Sequence, residues 1–151
     1  PAIHHSRRGV FDANTSLWAA FLFEYHGFKV YFGGDSAMGP VFRQTGHKYG
    51  PIDLALIGIG AYAPRKLLRS VHASPEEAVE MGKAINARSL LGMHWGTIEL
   101  SQENTFEPAY RFQKAALAAG YQDKEILLPS VGETVALDVL QTDRQLEPTG
   151  T

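Results

Sequence analysis

Three residues that can hold a metal ion follow short apolar segments, at points where strands are expected to end. His4, Asp35 and His94 each close such a segment, and two glycines directly precede Asp35. Open α/β sheets bind their ligands at the carboxyl ends of their strands, so these side chains are candidates for one shared site. Imidazole and carboxylate groups together suit a hydrolytic metal centre.

Each of these three residues also has an ordinary structural explanation. The pair His4 and His5 is typical of a solvated chain end, and adjacent residues of an extended chain point to opposite sides. Asp35 after glycine can bond its own backbone in a turn. His94 can be a buried histidine satisfied by hydrogen bonds, although Gly96 beyond it favours a loop built for close approach.

The remaining histidines divide into one further candidate and two surface residues. His72 lies just before a helix start, and it is either a surface residue or a group near a reaction centre, because histidine changes charge near neutral pH. His26 and His47 are interpreted as a turn residue and a surface residue, without a role in the site.

Composition excludes several classes of protein. The 151 residues carry a net charge of −2, which gives no electrostatic reason to expect a nucleic acid partner. The chain has no cysteine, so a zinc site must be built from histidine and carboxylate. No apolar run approaches the length of a membrane span, and we expect a cytoplasmic protein that is at most peripheral to a membrane.

Hydrophobic periodicity predicts strands and helices in alternation, the pattern of an α/β fold. Strands are predicted over 16–25, 28–32, 52–60 and 89–93, the first of them buried, with His26 and Gly27 in a tight turn between the first two. Helices are predicted over 40–49, from Ser74 to about Arg88, and over 106–119. Ser74, Pro75 and Glu77 form the signature of a helix start. We predict one domain over residues 1–140, followed by a polar tail over 141–151.

Several motifs, in this order along the chain, resemble the metallo-β-lactamase superfamily. They include Gly34-Asp35-Ser36, Gly60-Ala61-Tyr62-x-Pro64-Arg65, His72-x-x-Pro75-Glu76-Glu77-Ala78 and His94-Trp95-Gly96-Thr97. The combination is similar to the branch of N-acylphosphatidylethanolamine-hydrolysing phospholipase D. The resemblance runs from Pro1 to about Leu137.

The resemblance implies a fold and a ligand set. The family fold is an αβ/βα sandwich, and this chain resembles its C-terminal half, a mixed β-sheet with flanking helices. Two zinc ions are implied, with His4 at the first, His94 at the second and Asp35 bridging both. His72 matches a histidine near the reaction centre, so Asp35 and His72 are the implied catalytic residues.

One departure from the family pattern is large. The H-x-H-x-D-H loop, which supplies the other metal ligands, does not occur in these 151 residues. We therefore expect the site to need an N-terminal half, in the same parent chain or as a separate chain, and this chain alone to be inactive. A second departure is His5, where relatives often carry tryptophan.

The implied activity is zinc-dependent hydrolysis of a phosphodiester bond in a phospholipid. Tyr62 and Arg65 are candidate substrate-binding residues, because arginine holds phosphate oxygens in a bidentate fork. One alternative is a lactonase or phosphodiesterase that acts on a soluble metabolite. Another is a half-domain without catalytic activity that acts as an interaction module, including a homo-oligomer formed through an exposed sheet. A stand-alone α/β domain whose histidines are structural is the least favoured interpretation.

Overall fold

The computed structural model describes residues 1–5, 11, 15–99 and 101–136. Its sheet has five strands in the order β1-β2-β3-β4-β5, in which β1 is antiparallel to β2 and all other neighbours are parallel. The elements are β1 (Phe21–Tyr25), β2 (Phe28–Phe32), α1 (Val41–Tyr49), β3 (Ile52–Gly58), α2 (Arg65–Leu68), α3 (Pro75–Ala84), β4 (Ala87–Met93), α4 (Glu107–Ala118) and β5 (Ile126–Leu127). The predicted mixed sheet with flanking helices is confirmed. The predicted tail over 141–151 lies outside the described residues.

The first two strands form the expected hairpin. His26 and Gly27 both have positive φ angles, 48° and 75°, which suit a two-residue turn between twisted antiparallel strands. Strand β1 begins at Phe21 rather than at residue 16, and the prediction that it is buried is wrong. It is an edge strand, and Phe21 and Phe23 are each more than half exposed.

The helices α1, α3 and α4 contribute to one hydrophobic core. Phe42 of α1, Met81 of α3, Leu90 of β4 and Phe112 of α4 are fully buried in this cluster. Burial of each large apolar side chain contributes roughly 2 kcal/mol relative to exposure. The helices therefore hold the sheet from one side, and the sheet in turn positions the loops at the ends of its strands.

Helix α3 starts as predicted and ends earlier than predicted. The Ser74 hydroxyl accepts the Glu77 N–H at 3.3 Å, and the Glu77 carboxylate accepts the Ser74 N–H at 2.9 Å, which is a complete capping box. The helix stops at Ala84 and not near Arg88. Asn86 has a φ of +58°, a left-handed conformation that asparagine tolerates, and it turns the chain into β4.

The opposite face of the sheet carries aromatic side chains that no described residue covers fully. Leu22 of β1 packs against the core cluster, so the alternation of a strand turns Phe21 and Phe23 to the other face. Phe32 pairs with Phe21 across the hairpin and is 38% exposed. The helices described by the structure include none that is long and apolar enough to cross a membrane.

An ion-pair network joins α3 to α4. Arg111 donates two hydrogen bonds of 2.8 Å to the carboxylate of Glu76, and one of 2.8 Å to Glu107. Its guanidinium also lies over the Tyr62 ring, at 4.7 Å from the centroid. The hydrogen bonds from Arg111 hold the pKa of Glu76 below its ordinary value of 4.5.

We predict that Glu76→Gln lowers the free energy of unfolding by roughly 1 kcal/mol at neutral pH, because the pair is partly exposed and screened. A carboxyl group with a lowered folded-state pKa contributes stability above pH 4.5 that is lost as the pH falls further. The variant should therefore lose less stability than the parent below about pH 4.5. Urea unfolding at several pH values measures both effects.

Glu80→Gln is the matched control, since Glu80 is exposed on the same helix. It should leave the free energy of unfolding at neutral pH nearly unchanged. An equal loss in both variants would contradict a specific contribution from the Glu76–Arg111 pair.

Candidate metal site

Parallel strands place Asp35 and His94 at one edge of the sheet. Strands β2, β3 and β4 are parallel, so the loops after Phe32 and after Met93 leave from the same side. Across this edge the His94 Nε2 atom lies 3.6 Å from the Asp35 Oδ1 atom. That distance is too long for a direct hydrogen bond, but it makes the two groups neighbours.

His72 connects this pair to His4. The His72 ring is stacked on the His94 ring with 5.3 Å between centroids, and it meets the His4 ring edge-on at 5.1 Å. The structure therefore brings together His4, Asp35, His72 and His94, which we call the histidine cluster. All four residues are half-buried.

The loop directly after β3 makes room for His94. His94 has a φ of +61°, an unusual conformation for a residue other than glycine. At Gly60 a Cβ atom would collide with the His94 carbonyl oxygen. Glycine at position 60 is thus required for the close approach of the two strand ends.

His4 reaches the cluster by a different route from the one predicted. The described residues 1–5 form no strand, so the expectation that His4 follows one is wrong. Loop contacts position it instead: the Ala2 N–H bonds the Trp18 carbonyl at 3.3 Å, and the Trp18 ring lies 4.1 Å from the His4 ring. His5 is exposed and its ring stacks on His4 at 5.3 Å.

Burial and the two neighbouring histidine rings act on the pKa of His72. Desolvation, followed by the proximity of His94 and His4, lowers the pKa of His72 from its ordinary value of 6.5, against the opposite influence of Asp35 and Glu103. The neutral imidazole is therefore favoured at neutral pH. In that form one ring nitrogen donates a hydrogen bond and the other accepts one.

Tyr62 and Arg65 are held by internal partners. The Tyr62 side chain is buried, and its hydroxyl donates to Glu107 at 2.7 Å and accepts from Arg111 at 3.0 Å. The Arg65 guanidinium donates to the His72 carbonyl oxygen at 2.8 Å and to Glu77 at 2.6 Å. Arg65 thus meets the histidine cluster through the backbone of His72.

Sequence reasoning missed two residues that shape the site. The Glu103 carboxylate accepts the Ala61 N–H at 2.6 Å and the Ala63 N–H at 2.9 Å, and so ties the loop after His94 to the end of β3. Ser36 accepts hydrogen bonds from the Ile3 N–H, next to His4, and from the Ala73 N–H, next to His72. No local sequence pattern around either residue indicates these contacts. His26 and His47 lie outside the cluster, in the hairpin turn and on α1.

The donors of the histidine cluster fit zinc in type and not in number. Imidazole nitrogen and carboxylate oxygen are ordinary zinc ligands, and a catalytic zinc commonly has three protein ligands. Within the part of the chain that the structure describes, no three histidine, aspartate or glutamate side chains are grouped tightly enough to hold one ion. The cluster is a partial ligand set.

Comparison with known proteins gives a family from the sequence and a similar fold among solved structures. A model described as a beta-lactamase superfamily domain matches residues 1–95. A metallo hydrolase from the archaeon Ignicoccus hospitalis superposes with a TM-score of 0.63 and 24% identity, covering 89% of this chain and 49% of that protein. At this identity the likeness shows the fold alone.

Two curated relatives are more similar in sequence. N-acyl-phosphatidylethanolamine-hydrolyzing phospholipase D 1 of Caenorhabditis elegans is 43% identical over 110 residues, or 72% of this chain. The mitochondrial N-acyl-phosphatidylethanolamine-hydrolyzing phospholipase D of Saccharomyces cerevisiae is 35% identical over 141 residues, or 91% of this chain. The matches span only 31% and 30% of these two relatives.

The family model, the fold and the relatives agree with the order of motifs along the chain. The chain belongs to the metallo-β-lactamase superfamily, and within it to the branch that is similar to N-acylphosphatidylethanolamine-hydrolysing phospholipase D.

Proposed function

We propose that this chain is the C-terminal part of a zinc-dependent hydrolase that cleaves a phosphodiester bond in an N-acylphosphatidylethanolamine-like phospholipid. The observation that carries the proposal is the histidine cluster at the carboxyl edge of the sheet, which joins His94 and Asp35 at 3.6 Å. The names of the two curated relatives supply the substrate class. Superfamily membership supports hydrolysis with a metal.

The roles of the cluster follow from its chemistry. In this proposal His4 and Asp35 would hold one zinc ion, and Asp35 with His94 would hold a second. Bound zinc lowers the pKa of a water molecule and stabilises negative charge on phosphoryl oxygens. His72, which stacks on His94, orients the reacting phosphoryl group by a hydrogen bond from its ring.

The site requires residues beyond this chain. The partial ligand set leaves each proposed zinc ion with two protein ligands from this chain, fewer than the three of a typical catalytic site. The aromatic sheet face formed by Phe21, Phe23 and Phe32 also lacks a cover among the described residues. A complementary N-terminal half would supply the other ligands and would also cover this sheet face. The complete enzyme would be a cytoplasmic protein that binds peripherally to the membrane surface.

Substrate contact by Tyr62 and Arg65 is the part of the proposal with least support from the geometry. Two donors of Arg65 and the Tyr62 hydroxyl already have protein partners. A phosphate bound by Arg65 would have to use the guanidinium N–H groups that its bonds to His72 and Glu77 leave over. The bond from Arg65 to the His72 carbonyl oxygen favours an indirect role, in which Arg65 holds the backbone of His72 in place.

A second candidate function is an interaction module without catalytic activity. The observation that favours it is the exposed aromatic face of β1 and β2, which could pair with a second copy of this chain. That function predicts a stable homodimer and no dependence on zinc.

We expect His94→Ala to reduce kcat/KM of the complete protein at least about 100-fold, because one of the proposed metal ions loses a ligand. His47→Ala is the matched control, since His47 is exposed on α1 and remote from the cluster. Steady-state kinetics together with zinc content check the assignment. Normal zinc content and normal activity in His94→Ala would contradict it.

A lipid substrate predicts a dependence on the physical state of that substrate. Hydrolysis of a membrane phospholipid should be stimulated by detergents or bile-salt-like amphiphiles, which disperse the lipid. An enzyme for a soluble phosphodiester or lactone should be indifferent to them. Rates with dispersed N-acylphosphatidylethanolamine and with a water-soluble phosphodiester, each with and without amphiphile, separate the two substrate classes.

A further inference from the structure

Ser36 is a buried polar residue directly after the candidate ligand Asp35. Only 5% of its surface is exposed. Its hydroxyl accepts the Ile3 N–H at 2.8 Å and donates to the Ala37 carbonyl at 2.9 Å. Its own carbonyl oxygen accepts the Ala73 N–H at 3.0 Å.

These bonds connect three separate segments of the histidine cluster. Ile3 directly precedes His4, Ala73 directly follows His72, and Ser36 directly follows Asp35. The three segments are far apart in sequence, since 33 residues separate Ile3 from Ser36. One further backbone bond, from the Ala37 N–H to the Ile3 carbonyl at 2.8 Å, runs parallel to the hydroxyl contact.

We propose that Ser36 is a positioning residue that sets the placement of His4 relative to Asp35 and His72 in the proposed metal site. The proposal rests on the proposed function and deepens it. Ser36 touches neither metal nor substrate in this account. It acts through the backbone of the residues next to three members of the cluster.

The hydroxyl and the backbone of Ser36 make separable contributions. The bond to Ala73 uses the Ser36 carbonyl oxygen, which any residue at this position would retain. The side chain makes the bonds to the Ile3 N–H and to the neighbouring Ala37 carbonyl, and only the first of these reaches a distant segment of the cluster. Removing the hydroxyl leaves the half-buried Ile3 N–H without its partner, so the segment that carries His4 loses one of its bonds while the His72 segment keeps its own.

The test uses the complete protein, with the segment that supplies the remaining ligands. Ser36→Ala should weaken zinc affinity about tenfold, the lower end of the effect of residues that orient metal ligands. Competition with a chromogenic chelator measures that affinity without reference to activity. The NMR signals of the His4 ring in the zinc-free protein should shift more than those of His94.

Ser89→Ala is the matched control. Ser89 is also 5% exposed, but it lies early in β4, where it pairs with Leu54. This variant should leave zinc affinity unchanged, whatever it does to thermal stability. A second pair keeps volume constant: Ser36→Thr retains the hydroxyl and Ser36→Val replaces it with a methyl group. Zinc affinity should be close to that of the parent in Ser36→Thr and reduced in Ser36→Val. This pair tests the inference even if Ser36→Ala fails to fold.

The outcomes distinguish this inference from the function beneath it. If the parent binds zinc, and Ser36→Ala and Ser36→Val bind it equally well, Ser36 has only a structural role and the inference is overturned. Equal weakening in Ser89→Ala would overturn it as well. If the parent protein itself binds no zinc, the proposed function fails first.

Discussion

Parallel pairing of β2, β3 and β4 is the constraint on which the site depends. Because these strands run in one direction, the residues that follow them meet at a single edge of the sheet. Asp35 and His94 lie there as a consequence of topology, and Gly60 allows the ends of β3 and β4 to approach closely. The helices on one face hold the strands through a core that contains Phe42, Met81 and Phe112. The chemistry of the site rests on this scaffold.

The partial ligand set and the uncovered sheet face have one common interpretation. Under the proposed function, both features belong to a surface that a complementary half of the domain would cover. The histidine cluster offers nitrogen and oxygen donors without grouping three of them for one ion in the described residues. Phe21, Phe23 and Phe32 of β1 and β2 lie on the face of the same sheet that is turned away from the core. A single additional half of the domain would satisfy the polar and the apolar requirement together.

Local sequence patterns correctly predicted those features that depend only on residues close together in the chain. The capping box at Ser74, the turn at His26 and Gly27, and the glycines before Asp35 depend on residues within a few positions of one another. Motif order supplied the family, and the comparisons confirmed it. The short strand β5 escaped prediction, because two residues carry no periodicity.

Contacts between distant segments were beyond sequence reasoning. Ser36 bonds Ile3 and Ala73, and Glu103 bonds Ala61 and Ala63, through backbone amides that have no side-chain signature. The same reason explains why His4 was assigned to a strand. Its position follows from Trp18 and Ser36, and not from an apolar run before it. Burial of β1 was predicted wrongly because its apolar residues face two sides of an edge strand, and only one side is packed.

We propose that this chain carries one part of a two-zinc centre that another part of the protein completes. Elemental mass spectrometry together with solution mass tests it most directly, on the 151-residue chain alone and on its complex with the complementary half. We predict little zinc in the chain alone and close to two zinc ions in a complex that contains both halves. Stoichiometric zinc held tightly by the chain alone, or a metal-free complete protein, would contradict the account.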